Sequence, residues 1–297
     1  MNLTRRRFLQ SLAISSALIP RMNAASTDIP EVGSQLYGWG QYYQREGKNV
    51  ADHLDEVLSA VRDCGYEYAE ASLDLVHTEE NAKFASRLKS KGLKPVSLYT
   101  GGELHKKESA GKTIETITAA AKVAAANGFK IINCNPNPIG RPKPEDELNI
   151  QAENLNTLGA ELKKVGLKLG IHNHTPEMQD NAREFHHDLD ATDPALVGFC
   201  YDVHWVYRGG IAPKEVLPKY GSRIVTWHLR QSRNGKWFED LAEGDVDYNW
   251  IADYVRQHSL ARVFTVELAI EAGTKITRSV VENHKRSREF VKKVFGV

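Results

Sequence analysis

Val165-Gly166-Leu167-Lys168-Leu169-Gly170-Ile171-His172-Asn173-His174 reads as one complete junction between a helix and a strand, and its pattern decides the fold. Gly166 stops the amphipathic stretch 145–165, because a residue without a Cβ enters the left-handed conformation at a helix end without strain. The apolar run 167–173 then extends as a strand and breaks into polar residues. Outward from this point the same grammar recurs. Cys64-Gly65, Lys91-Gly92 and Asn127-Gly128 end other helical stretches and lead into other short β-branched or aromatic runs. Strands are expected at 35–39, 66–72, 94–99, 129–134, 167–173, 197–204, 223–229 and 262–268. Helical periodicity fills 50–64, 79–91, 109–127, 145–165, 182–189, 213–219, 248–258 and 277–295. Eight β-α units close most economically into a (β/α)8 barrel, here over residues 33–297, with a doubly wound open sheet as the runner-up.

Composition agrees with one large core: the chain has 297 residues and is 41% hydrophobic. The first 25 residues read separately. Thr4-Arg5-Arg6-Arg7-Phe8-Leu9-Gln10, an apolar run over 11–20 and the small-residue exit Asn23-Ala24-Ala25 have the form of a twin-arginine export signal, so the mature protein is expected in the periplasm. A basic, disordered N-terminus is the bland alternative. The apolar run is too short for a stable membrane anchor. Removing the segment takes away Arg5, Arg6, Arg7 and Arg21, so 39 − 4 = 35 basic residues face 38 acidic ones, a balance of about −3. No basic surplus remains to attract nucleic acid. Cys64, Cys134 and Cys200 are odd in number and sit in or beside apolar runs, so they read as core residues rather than a disulfide framework. Homo-oligomerisation is left open by the sequence.

In a parallel barrel the chemistry sits where strands run out into their following loops. The last four strands end in His172-Asn173-His174, Asp202-Val203-His204, His228-Leu229-Arg230 and Glu267. A lone histidine at a strand end is more often a hydrogen-bonded core residue than a ligand. Four consecutive strands offering ligand-type residues at one level are different, since burying them unpaired costs several kcal/mol. A divalent cation offsets that cost. Imidazole with carboxylate suits zinc, manganese, cobalt, nickel or iron better than calcium, and magnesium stays among the candidate ions.

The layout resembles the xylose-isomerase-like TIM barrels, the sugar isomerase/epimerase superfamily, and within it an exported subgroup carrying the sequence His-Asn-His. The resemblance runs from Leu36-Tyr37-Gly38 to the closing helix. It rests on His172-Asn173-His174, Asp202 to Trp205 with Gly209-Gly210, His228-Leu229-Arg230 and Ala242-Glu243-Gly244-Asp245-Val246-Asp247. It implies one divalent metal ion on Asp202, His228 and Glu267, with His172 standing where better-known epimerases have glutamate; His174 competes with His172 for the fourth place, with Glu177 as an outside candidate. It also implies a sugar or glycoside substrate, from which a base removes a proton next to a carbonyl through a metal-stabilised enediolate. Glu267 is the expected base. Glu177, five residues after His172, or Glu70 at the end of the second strand would have to supply a second.

An isomerase or epimerase and a metal-dependent lyase, dehydratase or hydratase on a keto-sugar or 3-keto-glycoside stand nearly level on this reading. A non-catalytic carbohydrate-binding barrel is the remote alternative. Expected substrate contacts are His174, His204, Arg230, Trp39, Trp205 and Tyr37, with the aromatic rings about as often core plugs as sugar platforms. His105 reads as part of a lid or as a solvated loop. Arg141-Pro142-Lys143-Pro144 reads as a stiff turn with its charges in water.

Overall fold

A computed structural model describes residues 29–297. The expected export segment, 1–25, lies outside the described residues. The described residues form ten strands: β1 (Glu31–Gln35), β2 (Tyr68–Ser72), β3 (Ser97–Gly102), β4 (Ile131–Pro136), β5 (Lys168–Ile171), β6 (Val197–Asp202), β7 (Ile224–Leu229), β8 (Ser232–Arg233), β9 (Lys236–Trp237) and β10 (Val263–Val266). Eight of them, β1 to β7 and β10, pair in parallel and close into a barrel, with β10 returning to β1; β8 and β9 form a separate antiparallel hairpin. The helices are α1 (Leu36–Arg45), α2 (Leu54–Asp63), α3 (Glu79–Ser90), α4 (Lys107–Ala126), α5 (Glu145–Lys164), α6 (Gln179–Asp190), α7 (Val203–Arg208), α8 (Pro213–Tyr220), α9 (Tyr248–His258) and α10 (Val280–Phe295). This is the (β/α)8 barrel that the sequence grammar predicts.

Periodicity explains the packing. On α5 the buried Leu148, Leu155, Leu158 and Leu162 recur at helical spacing and face the sheet, while Glu145 and Lys164 stay at its ends. The predicted stops hold as well: Gly166 has φ +81°, and Gly65, Gly92 and Gly128 occupy the same left-handed position in their units. Inside the barrel, the Tyr68 ring crosses to β1 so closely that a Cβ on Gly33 would lie 2.3 Å from it. Its hydroxyl meets Thr265 Oγ1 at 2.7 Å.

Two expectations fail at strand ends. The first strand is Glu31–Gln35, not 35–39, and the aromatic-rich segment after it is helix α1. The Gln35 side chain accepts from the Tyr37 amide and caps that helix. The buried Trp39 and Tyr42, three residues apart, form its inner face, so period three rather than period two was the relevant spacing. Likewise β6 stops at Asp202, because the Asp202 carboxylate caps α7 by accepting from the amides of His204 (3.0 Å) and Trp205 (2.8 Å). The Arg141 to Pro144 turn is only half as expected. Arg141 faces water, whereas Lys143 is buried with Nζ 2.5 Å from Glu184 Oε1. The three cysteines are free and buried. Among the described residues, no helix is long and apolar enough to cross a membrane.

Candidate metal centre and substrate cavity

Parallel register sets the site. Asp202 on β6 pairs with His228 on β7, and His228 pairs with Thr265 on β10, so the last polar residues of three strands arrive at one level. His172 follows β5 directly and is tied to the barrel by its amide, which donates to the Cys134 carbonyl at 2.9 Å. His172, Asp202, His228 and Glu267 each bring one ligand-type atom to within 4.8 Å of all the others.

The local hydrogen bonds leave these atoms free to face inward. His172 Nδ1 donates to Asn135 Oδ1 at 3.3 Å, which leaves its buried Nε2 unpartnered and 3.5 Å from Asp202 Oδ2. Asp202 uses Oδ1 on α7 and turns Oδ2 to the site, where Arg230 Nη2 also reaches it. His228 lies between two carboxylates, Nδ1 3.1 Å from Glu267 Oε2 and Nε2 2.8 Å from Glu70 Oε1. Arg230 reaches back over the cluster, with Nη2 3.0 Å from Glu267 and 3.4 Å from Asp202. Burial opposes the charge on both acids, but Arg230 and the neighbouring histidines outweigh it. Asp202 is held well below the usual carboxylate range and Glu267 down at about 2.

Two imidazoles and two ionised carboxylates, with an orphaned ring nitrogen between them, fit a divalent transition ion. Cys200 also comes within reach of His172 and His228. Burial pushes its thiol up to about 11, so the carboxylates are the better ligands. Glu70 completes the arrangement from below. It is fully buried, accepts from Ser97 Oγ at 2.6 Å and Asn133 Nδ2 at 2.8 Å, and touches the far nitrogen of His228. That is the carboxylate–histidine pairing which orients metal ligands. Glu70→Gln should therefore weaken divalent-ion affinity about 10–100-fold in a chelator competition while the fold persists. Unchanged affinity would make Glu70 a core residue only.

Above the quartet opens a cavity of about 1000 Å³. His172, His174, His228, Arg230, Trp205 and Glu267 line its inner end, and Tyr37, 57% exposed, stands at its mouth. His174 is held near pKa 4 by burial first and the His172 ring second, so it is neutral at pH 7. It forms wall rather than quartet, its ring 4.6 Å from that of His172. Two expected contacts, Trp39 and His204, the candidate second base Glu177 and the lid or loop residue His105 lie elsewhere. Trp39 is buried on the inner face of α1, donates to Ser34 Oγ at 2.9 Å and stacks on His284, so it is a core plug. His204 turns away on α7, where its Nδ1 accepts from Trp237 Nε1 at 3.0 Å. Glu177 is buried in the turn Pro176–Met178 and accepts from the His174 amide at 2.7 Å; it clamps the β5 loop instead of facing the cavity. His105 is neither lid nor solvated loop, since its side chain is wholly buried beside Leu104.

Sequence reasoning missed Trp237. The Arg230 guanidinium lies 4.0 Å from the centre of its ring, and Arg208 packs 4.7 Å from it, paired with Glu271. The signal was present in Asn234-Gly235, both left-handed (φ 52° and 73°), the dipeptide of a tight hairpin turn. Asp245 pins that turn, accepting from Ser232 Oγ (2.7 Å), Asn234 N (3.0 Å) and Gly235 N (2.9 Å).

Residues 58–294 match the model of the xylose isomerase-like TIM barrels. The chain belongs to this family. A sugar phosphate isomerase/epimerase from Parabacteroides distasonis superposes with a TM-score of 0.71 at 21% identity, over 92% of this chain and 98% of that one. The IOLI protein with a bound zinc atom superposes with a TM-score of 0.70 at 16% identity, over 90% of this chain and all of the other (100%). Both likenesses show the fold. In sequence, the inosose dehydratase of Clostridium perfringens is 40% identical over 93 residues, 31% of each chain, so the match spans about a third of that relative.

Proposed function

We propose that this family member is a divalent-metal-dependent enzyme acting on a sugar or glycoside, which removes a proton next to a carbonyl with one carboxylate and completes an elimination. One observation carries the reading: among the described residues, Glu267 is the only carboxylate lining the cavity. Epimerisation uses a second acid or base on the opposite face of the sugar. The opposite wall here offers His172 and the neutral His174. Glu70 is occupied by Ser97, Asn133 and His228, and Glu177 by Asn135 and the His174 amide.

A bound divalent ion supplies Lewis-acid stabilisation of the charge developing on the carbonyl oxygen. The chain's own groups do the rest. Arg230 turns from Glu267 to a substrate oxygen, which relieves the ion pair that keeps Glu267 a weak base. Glu267 takes the proton from the carbon beside the carbonyl, the C–H electrons become the new double bond, and the bond to the oxygen on the next carbon breaks. Glu267 returns its proton to that leaving oxygen on the same face. The dehydratase name of the Clostridium relative supports elimination. Residues 1–25, taken as a twin-arginine signal to the periplasm, support a free sugar or glycoside as substrate, since phosphorylated sugars are scarce there.

Incubating the metal-loaded protein with 3-keto-glycosides should release aglycone or water in step with the ultraviolet absorbance of an unsaturated keto-sugar. Deuterium incorporation from heavy water into an isomerised sugar, without release, would move the assignment to same-face isomerisation. Unchanged sugar in both assays would leave binding alone.

A further inference from the structure

The cavity is too large for the sugar that its inner end addresses. At about 1000 Å³ it lies at the top of the ~300–1,000 Å³ range that holds drug-sized ligands, so one hexose seated on the quartet leaves most of it empty. The remaining wall differs in chemistry from the floor. Leu36 and Tyr37 come from α1, Val50 and Leu54 from the turn and helix that follow, and Ile270 from the segment after β10.

Several polar side chains on this wall already have partners within the protein. Gln41 donates to the Ile270 carbonyl at 2.9 Å and accepts from the Ile270 amide at 2.8 Å. Asn49 Oδ1 accepts from the Ala51 amide at 3.1 Å, Gln35 accepts from the Tyr37 amide, and Lys48 pairs with Glu46 at 2.8 Å. Among the polar groups lining the cavity here, Gln44, Ser72 and the Tyr37 hydroxyl at the mouth have no such partner. A second sugar ring would bring several hydroxyls against these groups and find few partners, a loss for each hydroxyl cut off from water. The Gln41 clamp also fixes the Ile270 backbone in this wall.

We propose that this outer half is an aglycone subsite, which takes a planar, apolar aromatic group attached to the sugar. The inference rests on the carbohydrate reading above and names its substrate class, an aryl glycoside.

Calorimetric titration of the metal-loaded protein tests it with matched methyl and phenyl glycosides of glucose, galactose and mannose, with cellobiose and with free 2-naphthol. The phenyl member of a binding pair should be at least about tenfold tighter than the methyl member. Leu54→Asp should erase that advantage, and cellobiose should bind no more tightly than the methyl glycoside. Ile270→Asp repeats the test from the segment after β10 should Leu54→Asp fail to fold. Equal affinity within pairs, or cellobiose tighter than phenyl glycosides, overturns the subsite and leaves the sugar site standing. Binding of 2-naphthol that Leu54→Asp abolishes, with no glycoside bound, upholds an apolar subsite and removes the carbohydrate reading. No binding by any of these probes overturns both.

Discussion

Replacing Asp202 and His228 together with alanine is expected to lower the bound divalent ion from about one per chain to below about a tenth, read by elemental analysis after dialysis. The expectation follows from how the ligand atoms are held. His172 Nε2, Asp202 Oδ2, a His228 nitrogen and a Glu267 oxygen converge because neighbouring strands fix their level, while hydrogen bonds outside the quartet consume the other atoms of His172 and Asp202. Removing two of four ligands leaves a pair too weak to compete with buffer. Alanine at 202 also removes the cap of α7, a loss of about 1 kcal/mol, so Asp202→Asn is the informative companion. It keeps an oxygen for the His204 and Trp205 amides and loses the charge. Metal content equal to wild type in the double variant would refute the centre.

The second large effect concerns turnover. Glu267→Gln preserves shape and one oxygen but cannot take a proton, so turnover on a responsive keto-glycoside should fall about 10²–10⁴-fold. Metal content of the same variant separates the two roles of this residue. A fall in turnover at near-normal occupancy identifies the base, whereas parallel losses of both identify a ligand. Activity within a factor of two of wild type would exclude Glu267 as the base.

Much of this was legible in the sequence because both signals involved are local. Glycine stops at 65, 92, 128 and 166 and alternating strand and helix periods specify the barrel without long-range information. His172, Asp202, His228 and Glu267 stand out because ligand-type residues ended four successive strands. What stayed illegible depended on where each strand ends. One capping carboxylate turned His204 from a cavity residue into the acceptor for Trp237, and one capping amide turned Trp39 from a sugar platform into a core plug. Glu70 and Glu177 looked equivalent as spare bases. Their roles separated only through partners 27 and 42 residues away in the chain, Ser97 and Asn135.

The hairpin that carries Trp237 belongs to none of the barrel's own strands. It hangs between Arg230 and Asp247, held by the Asn234-Gly235 turn and the Asp245 carboxylate, yet it supplies the surface on which Arg230 rests. The ligand quartet, by contrast, is carried by residues at the ends of the barrel strands. On the proposed reading, the support of the substrate-facing guanidinium and the four residues that would hold the ion lie on different pieces of chain, joined by the Arg230 ion pairs to Asp202 and Glu267. A lineage could exchange the hairpin and so retarget the guanidinium while keeping His172, Asp202, His228 and Glu267 at the strand ends, and the charge on the two acids would respond to that change.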